Sequence, residues 1–135
     1  MRDLARVPGR IAVVGPCGSG KSELVCRLQA LGYEARHCGQ EHSYVPDMWQ
    51  RISRPQILVY LDASPSVIAR RQGSPLNTSY HEEQNRRLSH ARSHCQIYVD
   101  TDALDLEQVA AEVVAALDHL GLAPGDRSAA GYPGD

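Results

Sequence analysis

Ile11-Ala12-Val13-Val14-Gly15-Pro16-Cys17-Gly18-Ser19-Gly20-Lys21-Ser22-Glu23-Leu24-Val25 runs from a short apolar stretch, through three glycines, into a segment with helical spacing. Residues 11–14 have the continuous apolar character of a strand covered on both faces. Beyond Glu23, the residues Leu24, Val25, Leu28 and Leu31 recur at the period of one helix face. Between the two, residues 15–22 fit G-x-x-x-x-G-K-[ST] in full. Strand, glycine loop and helix are the context in which that pattern has a mechanism. The glycines let the backbone take positive φ, so that successive amide N–H groups converge on one concavity suited to anions. The concavity opens onto the first turn of the next helix, whose unpaired N–H groups and dipole favour negative charge.

Lys21 is the sole lysine of the chain, and the other positions of that type all hold arginine. A sequence that keeps an ammonium only here has a use for a compact cation at this point. The pattern implies that Gly15, Pro16, Cys17, Gly18, Ser19, Gly20, Lys21 and Ser22 hold the phosphates of ATP or GTP. Lys21 would reach the β- and γ-phosphates, and the Ser22 hydroxyl would ligate Mg²⁺. Cys17 occupies a variable position of the loop. It fits either as a small filler or as a thiol acidified by the nest and Lys21.

Length and composition narrow the class. The 135 residues suit one domain, expected over residues 1–120. Residues 121–135 are rich in Gly and Pro and are expected to form a disordered or loosely attached tail. The net charge of −2 gives no reason to expect nucleic acid or an acidic membrane surface as a partner. No apolar run approaches the roughly 18 residues of a membrane-spanning helix. The first ten residues lack an apolar signal region, and the expected location is cytoplasmic. Cys17, Cys26, Cys38 and Cys95 show no paired short spacing, which argues against a zinc or disulfide framework built from cysteines.

Four strands are expected, at residues 11–14, 33–37, 56–61 and 96–99. Helices are expected between them. Ser64-Pro65 reads as an N-cap followed by proline at the first helical position, with Gly73-Ser74-Pro75 as the stop. Ser79-Tyr80-His81-Glu82 has the form of a capping box that opens a helix toward His94. Tyr80, Leu88, Ala91 and Cys95 are expected to form its core side, and His81, His90 and His94 its surface. Asp105 with Gln108 caps the last helix, with Leu104 and Val109 as a possible staple. Leu106, Val109, Val113, Leu117 and Leu120 form that helix's buried face. The alternation predicts an α/β fold: a three-layer α/β/α arrangement on a parallel sheet of about four strands with right-handed crossovers. Ligands of such sheets bind at the carboxyl ends of the strands.

The chain resembles the P-loop nucleoside and nucleotide kinases and their relatives, which include shikimate and dephospho-coenzyme A kinases. Three stretches carry the resemblance. The first is the loop 15–22. The second is Ile57-Leu58-Val59-Tyr60-Leu61-Asp62-Ala63-Ser64-Pro65, continuing to Ala69-Arg70-Arg71. The third is Tyr98-Val99-Asp100-Thr101-Asp102. The resemblance implies a lid at residues 73–78, bordered by arginines that close on the transferring phosphoryl group. Arg70, Arg71 and Arg87 are the candidates for that role, while Arg86 reads as a surface partner of Glu82 and Glu83. One departure stands out. Only about twenty residues separate the second and third expected strands, and residues 45–52 look helical. The family's further strand, with its acidic residue, is therefore missing, and the fold is a minimal four-stranded version.

The acid must then come from elsewhere. Glu41, His42 and Asp47 lie just past the carboxyl end of the second strand and are candidates for a base or a ligand of the Mg²⁺ waters. Each reads equally as a solvated loop or helix-terminal residue. Asp62 ends an apolar run, as the Mg²⁺-coordinating acid of many NTPases does, although in the resembling kinases that position usually does not touch the metal. The expected activity is ATP-dependent phosphotransfer to an unknown small-molecule or nucleotide acceptor. The alternatives are a non-catalytic nucleotide-binding or regulatory module and slow NTP hydrolysis.

Overall fold

The computed structural model describes residues 5–124. It has four strands, β1 (Val7–Val14), β2 (Glu34–His37), β3 (Pro55–Asp62) and β4 (Ile97–Asp100). Five α-helices accompany them: α1 (Lys21–Ala30), α2 (Met48–Ser53), α3 (Pro65–Gln72), α4 (Thr78–His94) and α5 (Leu106–His119). The sheet is parallel throughout, in the order β2-β1-β3-β4. Its two faces carry separate apolar clusters. On one face Ile11, Val13, Val59 and Leu61 meet Leu24 and Leu28 of α1 and Val113 and Leu117 of α5. On the other, Ala12, Val14, Leu58 and Tyr60 meet Trp49 of α2 and Leu88 and Ala91 of α4. This is an α/β fold with a four-stranded all-parallel sheet, compatible with the expected three layers. Residues 40–54 contain no strand.

β1 and β3 are the two inner strands and carry the continuous apolar runs: Ile11 to Val14 of β1 and Ile57 to Leu61 of β3 are all buried. The neighbours of β1 lie on opposite sides, so the loops leaving β1 and β3 diverge at its carboxyl end. Open parallel sheets form their ligand crevices at such a point. The 15–22 loop leaves β1 there.

Local signals account for most helix ends. The Ser64 hydroxyl accepts from the Val67 N–H, Pro65 takes the first helical position, and Gly73 closes α3 with φ +63°. Asp105 and Gln108 form the complete capping box of α5. Three details differ from expectation. α4 starts two residues earlier, where Asn77 Oδ1 accepts from the Tyr80 N–H, so Ser79 is no cap. Leu31 and Leu120, expected in buried faces, are the C-caps of α1 and α5 and are exposed. The third concerns α4, which buries His81, Gln84, Leu88 and Ala91 and leaves Tyr80 outside. At the chain's end, Leu122 packs on the core below α5, and its N–H bonds to Leu117 O. The remainder of the expected tail, residues 125–135, lies outside the described residues. Among the described residues no helix is long and apolar enough to cross a membrane.

Candidate functional site

The loop begins with a forced glycine. A Cβ on Gly15 would collide with the carbonyl oxygen of Leu61, so the backbone passes β3 at a distance no other residue allows. At Gly18, φ is +86° and a Cβ would stand 2.9 Å from Ile68 Cγ2 of α3. The Ser19 N–H returns to Pro16 O at 3.1 Å, and the Cys17 N–H is accepted by Gln84 Oε1 of α4 at 3.1 Å. The N–H groups of Gly18, Gly20, Lys21 and Ser22 have no acceptor among the described residues. They gather at the start of α1, where partial positive charge accumulates.

Lys21 is 6% exposed and curls back over its own loop. Its ammonium donates to Gly15 O at 2.9 Å and to Pro16 O at 3.0 Å. Glu41 Oε2 lies 3.1 Å away and completes a buried ion pair. Glu41 is itself 2% exposed, and its Oε1 has no hydrogen-bond partner among the described residues. The elements that place it are short. The Cys38 N–H extends the β2 ladder to Val13 O, and a 3-10 turn follows over Gln40–His42. Gln40, fully buried, fixes that turn. Its Nε2 donates to Val45 O at 2.8 Å and Arg87 O at 3.1 Å, and its Oε1 accepts from the Trp49 N–H at 2.8 Å.

A cleft of about 780 Å³ lies along the loop. Residues 17–23 form one wall, and His37, His42, Arg71, Thr101 and Asp105 are among the others. Ser22 is exposed in it. Arg71 NH1 donates to Gly18 O and to Thr101 Oγ1, both at 3.1 Å, and its NH2 donates to Thr101 O at 2.6 Å. One guanidinium thus joins the loop to the end of β4. A smaller cleft of about 380 Å³ lies between α3, residues 74–77 and α4, and shares Cys17 and Gln72 with the first.

The structure brings together Lys21, Ser22, Glu41, His42 and Arg71. The other candidates stand apart. Arg70 is exposed and makes no hydrogen bond or ion pair among the described residues. Arg87 pairs with Glu83, donates to Glu41 O at 3.4 Å and stacks over Tyr44, so it braces the turn that carries Glu41 without lining the cleft. Asp47 pairs with Arg51 one turn on at 2.9 Å, and the guanidinium lowers its pKa. Asp62 accepts from the Ala63 N–H and the Tyr98 hydroxyl, with Arg92 at 3.5 Å. Its carboxylate is thereby engaged by Tyr98, and Asp62 is not among the residues lining the cleft. Burial and the Asp62 contact push the Tyr98 phenol up to about 12.

Sequence reasoning missed Gln40, Gln84 and Thr101, and placed His81 at the surface although it is 8% exposed. Each uncharged member serves the backbone of a distant segment, and nothing in its own neighbourhood announces the partner. The one available signal was the spacing 81, 84, 88, 91, a helical stripe half made of polar residues. No protein-family model matches the chain, and no curated protein matches it.

Proposed function

We propose that the chain is a small phosphotransferase that binds ATP or GTP with Mg²⁺ through residues 15–22 and passes the γ-phosphoryl group to a small-molecule or nucleotide acceptor. One observation carries the reading. A sole, buried lysine lies under a loop in which the amides of Gly18, Gly20, Lys21 and Ser22 lack acceptors among the described residues, and it is paired with a buried carboxylate facing the same loop. Gly15 and Gly18 seat the loop on β3 and α3, while Gly20 has nothing within 4 Å of a Cβ position, which suits a phosphate cradle. The exposed Ser22 hydroxyl at the start of α1 is the group that would hold Mg²⁺. When bound, the ion neutralises phosphate charge.

This chain's own residues supply the rest. Lys21 exchanges its loop carbonyls for phosphate oxygens. The unpaired amides of Gly18, Gly20 and Ser22 donate to the β-phosphate oxygens. Arg71, anchored on Thr101, offers its fork to the charge that grows on the transferring group. Glu41, released from Lys21 by the phosphates, orients the acceptor hydroxyl. A second reading, nucleotide binding without transfer, is favoured by the engagement of Asp62 with Tyr98 and Arg92: the acids that line the cleft are then Glu23 and Asp105, and Asp105 caps α5.

Calorimetry with ATP·Mg²⁺ and GTP·Mg²⁺ on wild type and Lys21→Ala tests the binding step. Loss of this charge-assisted contact is expected to cost about 2–4 kcal/mol, roughly 30- to 1,000-fold. Equal affinity of the two folded proteins would defeat the reading. Incubation with ATP, Mg²⁺ and pooled metabolites, followed by mass analysis, separates transfer from binding alone.

A further inference from the structure

The rim of the cleft holds a second constellation, which shares Cys17 and Glu41 with the proposed phosphate site. Cys17 Sγ, from the loop after β1, lies 3.5 Å from His42 Nε2 and 3.8 Å from Glu41 Oε2. His42 Nε2 lies 3.6 Å from the same carboxylate oxygen. One thiol, one imidazole and one carboxylate thus meet from two loops more than twenty residues apart in sequence. We propose that Cys17, Glu41 and His42 bind a zinc-type divalent cation.

The spacing matches what such an ion demands. Bonds of about 2.3 Å to sulfur and about 2.0–2.2 Å to nitrogen and oxygen, disposed tetrahedrally, separate the donors by about 3.3–3.6 Å. The three distances found here are at or slightly above that range, so closing on an ion takes shifts of tenths of an ångström. Ligand chemistry agrees, because thiolate, imidazole and carboxylate are the donors zinc takes. The buried Glu41 Oε1 without a hydrogen-bond partner is a separate sign that this carboxylate is not fully satisfied by its protein neighbours. Oε2 is the oxygen that faces Cys17, His42 and Lys21 alike, so the ion would take it from the ammonium, which keeps the Gly15 and Pro16 carbonyls. Access is open: the His42 side chain is 57% exposed and Cys17 is partly so.

Binding releases the Cys17 thiol proton, and the resulting thiolate with the Glu41 carboxylate offsets the ion's two charges beside the Lys21 ammonium. With three protein ligands, the fourth position is left to water, as in catalytic rather than structural zinc sites. The ion would also tie the 15–22 loop to the Gln40–His42 turn. Cys17 and Glu41 are shared with the nucleotide reading, but the test involves no nucleotide, so its failure is distinguishable from a failure of that reading.

The test uses the tag-free full chain, kept reduced without added thiol, stripped with chelator and titrated with Co²⁺ and then Zn²⁺. The expected result is a thiolate-to-cobalt charge-transfer band with tetrahedral d–d bands, saturating at one ion per chain and bleached by Zn²⁺. His42→Ala changes an exposed side chain and should fold. It should weaken binding by more than the roughly 10- to 100-fold typical of losing an outer-shell partner. Cys17→Ser should abolish the charge-transfer band, while Cys26→Ser, at an exposed thiol elsewhere, should leave it intact. Absence of the band in wild type, or its persistence in both His42→Ala and Cys17→Ser, would overturn the site.

Discussion

Two acids at the carboxyl edge of the sheet began as near equals, and the fold has separated them. Glu41, past the end of β2, is 2% exposed and bound to Lys21. Asp62, the last residue of β3, has a side chain 19% exposed and is bound to Tyr98 and Arg92. The difference follows from strand order. Lys21 belongs to the loop leaving β1, and the turn after β2 folds over that loop because Gln40 staples it to α2 and α4. Asp62 sits in register with Asp100 of β4, and so turns to the phenol that β4 presents. The lesson is that a carboxylate after an apolar strand takes its role from the next strand in space, not from the strand that carries it.

The largest test of this contrast is charge removal. Glu41→Gln leaves the buried Lys21 ammonium without its counter-ion, and breaking a buried pair costs about 3–5 kcal/mol. Asp62→Asn disturbs a partly solvated cluster and should cost about 1 kcal/mol. Urea denaturation of both variants checks the order, and equal losses would mean that the two sides do not differ as described.

A middle-sized test probes the backbone between the two acids. Gly15→Ala drives a Cβ into Leu61 O of β3 and should cost about 2–3 kcal/mol through overpacking. Gly20→Ala meets nothing within 4 Å but sits at φ +98°, so only the roughly 1–2 kcal/mol conformational cost applies. If the two variants are equally stable, the loop does not lean on β3.

The smallest effect is a pH dependence on the Asp62 side. The Tyr98 phenol is raised from 10.0 to about 12 in the folded chain, so the native state keeps a proton that the unfolded chain loses first. That contribution is complete below about pH 10 and is lost as pH rises toward about 12. Denaturation midpoints followed from neutral pH to about pH 11 should therefore fall more steeply in wild type than in Tyr98→Phe. Matching slopes would remove Tyr98 from the account.

Much of this was legible in the sequence where the signal is local. The four strands, the absence of a strand from residues 40–54, the Ser64-Pro65 start of α3 and the Asp105–Gln108 box rest on residues adjacent to what they specify. What stayed hidden depends on tertiary partners. Hydrophobicity favoured Tyr80 over His81 for the core side of α4. The structure inverts them because this face meets the 15–22 loop, where the Cys17 N–H needs the acceptor that Gln84 supplies. Arg71 and Arg70 are indistinguishable in sequence, and only Thr101, thirty residues away, selects Arg71. Asp47 looked like an acceptor-site acid, yet Arg51 one turn later claims it. Cysteine spacing gave no hint of a metal set, since the partners of Cys17 are a histidine and a glutamate.

The burial of Lys21 has a further consequence for reagents that attack amines. Because it is the only lysine and is 6% exposed, no other side chain can be acylated, crosslinked or conjugated through an ε-amine. Acylation of that one site must wait for the loop to open. Its rate, compared with that of a free lysine, therefore becomes a clock for local unfolding at one known atom, in a protein with no second ε-amine to obscure it.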